Sequence, residues 1–98
     1  MTAYVIADVE VANPEHYAQY TALSPAAIEA AGGEFIVRGG NPATLEGDWS
    51  PSRIVVARFK DIASAKAFYD SALYREARAK RKGATSRFNM IVVEGYEG

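Results

Sequence analysis

An α+β fold of order β-α-β-β-α-β, an antiparallel sheet with its helices on one face, is predicted by three observations. Segments near the start, middle and end of the chain have two distinct strand faces. Two intervening segments carry helix-cap chemistry and helical stripes, and glycine- and proline-rich stretches separate the elements. That order is a split βαβ arrangement, which favours an antiparallel sheet.

Ala3–Val11 places Ala3, Val5, Ala7, Val9 and Val11 on one side and Tyr4, Ile6, Asp8 and Glu10 on the other, which is a strand with two different faces. Asn13-Pro14-Glu15 then starts a helix: an amide to cap free N–H groups, proline at the first helical position and an acid at the positive dipole end. Tyr17, Tyr20 and Leu23 share a face. Ser24-Pro25 is expected to interrupt the ladder, with Ser24 recapping a short second helix over 24–31, because proline offers no N–H and clashes with the preceding turn. Gly32-Gly33 supplies a left-handed cap. Glu34–Arg38 is the second strand, Gly39-Gly40-Asn41-Pro42 a turn, 43–47 a candidate short edge strand and 48–51 a loop. Arg53–Phe59 is the next strand. Asp61 caps a helix with the stripe Ile62, Ala65, Phe68 and Tyr69, Ser71 marks a break or recap, and a further helical stretch from about Leu73 stops at Gly83. The last main strand is placed at 87–94.

Ninety-eight residues suffice for one domain, 1–98, and 49% apolar with 23% charged residues is ordinary globular composition. Eleven basic against twelve acidic side chains leave a net charge of −1, so no long-range field draws in nucleic acid or an anionic membrane, and neither is expected as a partner. The absence of cysteine excludes disulfides, thiolate metal sites and cysteine nucleophiles. It fits a reducing compartment, and the N-terminal residues lack signal-peptide character, so a cytoplasmic location is expected. Ile6, Ile36, Ile54 and Val56 fall on the sheet face opposite the helices. Exposed apolar surface costs about 25 cal/mol per Å², which predicts a homodimer formed sheet to sheet.

The runs Ala3-Tyr4-Val5-Ile6-Ala7-Asp8 and Gly32-Gly33-Glu34-Phe35-Ile36-Val37-Arg38-Gly39-Gly40, the Glu46-Gly47 pair with Trp49, Arg53-Ile54-Val55-Val56 and Phe68-Tyr69-Asp70-Ser71-Ala72-Leu73-Tyr74-Arg75 together resemble domain-of-unknown-function family 1330 over nearly the whole chain. The resemblance implies membership of the bacterial dimeric α/β-barrel superfamily: a ferredoxin-like βαββαβ protomer whose sheet joins that of a second copy in a barrel. It implies no settled reaction. The wider superfamily contains cofactor-independent monooxygenases, lactone isomerases, haem enzymes and effector-binding domains. Haem-dependent relatives generally use a histidine ligand, and the single histidine here, His16, sits in a first helical turn, so no cofactor is expected.

Candidate chemistry rests on few side chains. His16 and Asp8 are the candidate acid–base groups. Asp8 and Arg38 interrupt strand faces predicted to line the space between sheets, either as a structural ion pair or as a clamp for a carboxylate or phosphate. Tyr74 and Arg78, four apart on one helical face, place an aromatic wall beside a cation, and Tyr20, Tyr69 and Trp49 are further candidate walls. No metal-ligand spacing occurs. Arg75, Arg78, Lys80, Arg81, Lys82 and Arg87 read as a solvated basic face. The leading expectation is a homodimer binding a small anionic or aromatic molecule through Asp8, Tyr20, Arg38, Trp49, Tyr69, Tyr74 and Arg78. The alternatives are a cofactor-independent monooxygenase or isomerase, and a structural or interaction dimer without ligand.

Overall fold

A computed structural model describes residues 1–96; the last two residues of the predicted domain, Glu97 and Gly98, lie outside the described residues. The strands are β1 (Ala3–Val11), β2 (Glu34–Arg38), β3 (Arg53–Phe59) and β4 (Thr85–Glu94), and the helices are α1 (Pro14–Ala30), α2 (Ile62–Asp70) and α3 (Ala72–Arg81). The sheet runs β2-β3-β1-β4 with every neighbouring pair antiparallel. This is the predicted ferredoxin-like α+β arrangement, with the helical segment after β3 divided in two.

The division has a local cause. The Ser71 hydroxyl donates to the Phe68 carbonyl and accepts from the Tyr74 amide, so one side chain closes α2 and caps α3. Asn13 caps α1 as predicted, accepting from the His16 amide. At the other end Gly32, at φ +79°, lets the amides of Gly32 and Gly33 reach back to the Glu29 and Ile28 carbonyls, the bonding pattern of a Schellman stop.

Pro25 does not end α1, contrary to the expectation of a break and a recap at Ser24; one helix runs through it. Proline leaves the carbonyl four residues earlier, that of Thr21, without its helical donor. The Arg38 guanidinium supplies one from β2, its Nη2 donating to the Thr21 oxygen at 3.1 Å. The expected short strand at 43–47 does not form either. Residues 39–52 make a loop held by the Thr44 hydroxyl on the Trp49 carbonyl.

Ala3, Val5, Ala7, Val9, Ala57 and Phe59 turn toward the helices and pack against Tyr17, Tyr20, Ile28, Phe68, Tyr74 and Ala77. The opposite sheet face carries Ile6, Val56 and, more exposed, Ile36, Val37, Ile91 and Val93. Extents of 37 × 36 × 16 Å are those of one sheet with one helical layer, and among the described residues no element covers the second sheet face. Among the described residues no helix is long and apolar enough to cross a membrane.

Candidate functional site

Under the helices, tyrosines and arginines gather where an apolar core alone would be expected. On α1, Tyr17 and Tyr20 are three residues apart and buried. On α3, Tyr74, Ala77, Arg78 and Arg81 follow the i, i+3, i+4, i+7 spacing that places them on the face turned inward. The Tyr20 and Tyr74 hydroxyls meet at 2.7 Å in a buried hydrogen bond. Their rings join a stack in which Tyr74 lies 4.3 Å from Phe68 and 5.7 Å from Tyr69. Tyr20 lies 6.0 Å from Phe88. Burial pushes the Tyr20 hydroxyl far above its ordinary pKa, and the neighbouring Tyr74 hydroxyl adds to the shift. Burial also raises Tyr17, against the pull of Arg53. Both are neutral at physiological pH and act as hydrogen-bonding hydroxyls rather than phenolates.

Four arginines surround this cluster, each with its guanidinium over a ring: Arg78 4.2 Å from the Tyr69 centroid, Arg81 3.7 Å from Phe88, Arg38 4.7 Å from Phe35 and Arg53 5.7 Å from Tyr17. Among the described residues none of the four has a carboxylate in salt-bridge contact; the ion pairs formed belong to Arg58 and Arg87. Among the described residues the buried Nε of Arg53, Arg78 and Arg81 meets no acceptor.

A cleft of about 550 Å³ opens between α2 and the edge strand β4, with Phe68, Met90 and Val92 as apolar wall and Lys66, Tyr69, Asp70 and Arg81 as polar groups. Behind it a space of about 30 Å³, the size of a water or two, continues between α1 and the sheet, sharing Val5, Phe68, Phe88 and Met90 with the cleft. Of these two spaces the cleft is the one with room for an organic ligand, and the tyrosine pair lies behind its inner wall.

The predicted site residues fall in three places. Tyr20, Tyr69, Tyr74 and Arg78 come together in one cluster through ring contacts and the Tyr20–Tyr74 hydrogen bond, and Tyr69 alone of the four borders the cleft. Asp8 and Trp49 lie on the open sheet face, where the Trp49 indole N–H donates to Asp8 at 3.1 Å and Arg87 pairs with the same carboxylate at 3.1 Å. Arg38 lies on the helix-covered face at the far edge of the sheet, so the expected Asp8–Arg38 pair does not exist. The reason is a bulge in β2: Phe35 pairs with Ala57, yet Val37 pairs with Val56 and Arg38 with Val55, one residue out of step. The extra residue, Ile36, reverses the side on which everything after it falls. His16, in the first turn of α1, borders none of these depressions, and its ring lies near Gly83.

Three residues of the cluster were absent from the predicted set. Arg53 shares the parity of Val55, Ala57 and Phe59, so its strand position alone directs it toward the helices. Arg81 stands seven residues after Tyr74, on the buried stripe, although the run around it reads as a solvated basic face. Tyr17 shares the helical face of Tyr20, and its buried ring carries a hydroxyl beside Arg53. Among the described residues no three His, Asp or Glu side chains converge to hold a metal ion.

Solved structures share this fold. A protein of unknown function from Rhodopseudomonas palustris superposes with a TM-score of 0.76 at 22% identity, covering 99% of this chain and 84% of that one. A dimeric ferredoxin-like protein of unknown function from Jannaschia sp. CCS1 gives 0.76 at 13% identity, covering 97% and 100%. A cofactor-independent oxygenase from Streptomyces nogalater gives 0.65 at 12% identity, covering 99% and 94%. No curated protein matches the chain in sequence. One family model spans residues 2–96, nearly all of the chain, and on that match the chain belongs to DUF1330, a domain of unknown function.

Proposed function

We propose that the protein is a homodimer in which each subunit binds one small, flat, anionic molecule in the cleft between α2 and β4. The observation that carries this reading is Arg81: a guanidinium with no carboxylate partner, seated on Phe88 and bordering a cleft whose inner wall is apolar. An aromatic or enolic acid matches both features, its ring against Phe68, Met90 and Val92 and its oxyanion toward Arg81. Tyr69 and Arg78, stacked on one another, would form the rim. The hydrogen-bonded Tyr20–Tyr74 pair would brace that apolar wall from behind.

Pairing through the open sheet face is supported by the apolar side chains it exposes and by the dimeric state of the Jannaschia neighbour and of a ferredoxin-like neighbour from Bacteroides fragilis. The cleft lies at the β4 edge, walled by α2 and Arg81 on the helix side and reaching Asn89 and Ile91 of the open face, so such a dimer would lie alongside both clefts. An oxygenase or isomerase reaction would add a base acting on the bound acid. Asp70 is the carboxylate that borders the cleft, and His16 does not reach it.

Thermal unfolding with salicylate as the test ligand, at fixed protein concentration, examines this reading. At a hundredfold excess over Kd a single site gains about 2.7 kcal/mol, a shift of several degrees. The shift is expected to vanish in Arg81→Gln and to persist in Arg87→Gln, whose arginine is on the other face. An equal shift in wild type and Arg81→Gln, or none with salicylate, benzoate or phenylpyruvate, would sink the proposed site. Following oxygen uptake in the same mixtures separates binding from turnover.

A further inference from the structure

We propose that a second depression, at the opposite edge of the helical layer, is an oxyanion site for a doubly charged group, a phosphate ester or a dicarboxylate, held between Arg38 and Arg53. The depression has a volume of about 480 Å³; Tyr17 and Thr21 of α1 line it with the two arginines, and no acidic residue does. It shares no lining residue with the cleft beside β4 and does not depend on that reading.

The two cations are brought together by the sheet. Arg38 pairs with Val55, and Arg53 is two residues before Val55 on the same strand and the same face. They are thus diagonal neighbours across an antiparallel pair, about 7–8 Å apart at the backbone. Like charges at this spacing repel, and the chain offers neither a carboxylate in salt-bridge contact among the described residues. A dianion between them cancels both charges, and guanidinium groups match the oxygen geometry of phosphate and carboxylate.

Both side chains are held in place before any ligand arrives. Arg38 has one Nη on the Thr21 carbonyl that Pro25 leaves free, and its face lies on Phe35, so its remaining N–H groups are the ones left to bind. Arg53 lies over Tyr17 and against Gly39, where any Cβ would overlap its guanidinium. Gly39 is also at φ +74°, so glycine meets two demands there: the backbone turn and the room for the arginine. The buried Nε of Arg53 reaches no acceptor among the described residues. Ordering two long, flexible side chains in advance removes much of the entropic cost of binding between them.

Calorimetric titration of the full chain with inorganic phosphate and, separately, with succinate, at constant ionic strength against sodium chloride, tests the proposal. Saturable binding of at least one dianion is expected, with affinity falling tenfold or more in Arg38→Gln and in Arg53→Gln. It should be unchanged in Arg58→Gln, where the arginine pairs with Glu34 on the open face. Arg53→Lys keeps the charge and the fold while removing the planar fork, and is expected to weaken binding as well, so the test survives misfolding of Arg53→Gln. Phosphate without succinate assigns a phosphate ester, and succinate without phosphate a dicarboxylate. Heats no larger than those of sodium chloride, or equal affinity in wild type and Arg53→Lys together with Arg38→Gln, would overturn the site, whatever salicylate does at the β4 cleft.

Discussion

The two faces of the sheet treat arginine in opposite ways. On the open face each guanidinium has an acid: Arg87 pairs with Asp8 and Glu10, and Arg58 with Glu34. On the helix-covered side Arg38 and Arg53 of the sheet and Arg78 and Arg81 of α3 have aromatic rings instead and, among the described residues, no acid in salt-bridge contact. A face whose charges are neutralised in place and whose remaining surface is apolar is suited to being covered by protein. A face whose cations are fixed but uncompensated is suited to meeting anions from outside. The division of labour proposed above, assembly on one side and ligands on the other, follows from that contrast.

The largest effect that can break the comparison concerns assembly. Ile91 is 60% exposed on the open face, so Ile91→Asp costs an isolated subunit little. In a dimer built on that face it buries an unpaired charge, worth roughly 3–5 kcal/mol per site, and the dimer dissociation constant rises more than a hundredfold. Sedimentation equilibrium is expected to show a dimer for wild type and a monomer for the variant. A variant that remains dimeric would move the interface elsewhere and leave the open face without its assigned role.

A middle-sized effect probes the covered face. Tyr20→Phe leaves the Tyr74 hydroxyl, in a residue with no solvent exposure, without its partner, and is expected to cost about 1–3 kcal/mol in chemical denaturation. Tyr20→Phe with Tyr74→Phe removes both hydroxyls and is expected to recover most of that loss. The same hydrogen bond has a pH signature. The folded-state pKa of Tyr20 is raised, so its contribution is complete below the unfolded value of about 10 and is lost as the pH climbs beyond it, because the unfolded chain releases a proton that the folded one retains. Stability therefore declines above about pH 10, less steeply in Tyr20→Phe. A double variant no more stable than the single one would mean that the hydroxyl pair is not a self-contained unit.

How much of this was legible in the sequence follows the range of the interactions. The two faces of β1, the Asn13, Asp61 and Ser71 caps and the Gly32 stop are decided within a few residues, and all were readable. The continuity of α1 was not, because the donor that replaces the one lost at Pro25 comes from Arg38 on a different strand. The direction of Arg38 was hidden for a related reason: the bulge at Ile36 exists only in the pairing of β2 with β3. Half of the candidate site was visible as Tyr74 with Arg78. Arg81 and Arg53 were obscured by their neighbours, one inside a run of exposed bases and the other at a strand end, although the helical and strand periods alone place both on the buried side.

The smallest effect is the sharpest test of the face assignment itself. Asp8 and Arg87 form a pair at 3.1 Å with side chains 16% and 36% exposed, so water screens it, and a double-mutant cycle between Asp8→Asn and Arg87→Gln is expected to give a coupling below about 1 kcal/mol. The companion cycle between Asp8→Asn and Arg38→Gln crosses the sheet from one face to the other, and is expected to be additive within about 0.3–0.5 kcal/mol. Were β2 regular, Arg38 would return to the open face beside the other charges, the second cycle would become the coupled one, and the oxyanion depression would lose one of its two cations. Two small numbers, measured by the same denaturation experiment on conservative variants, thus decide whether one extra residue at Ile36 gives the molecule its two differently charged sides.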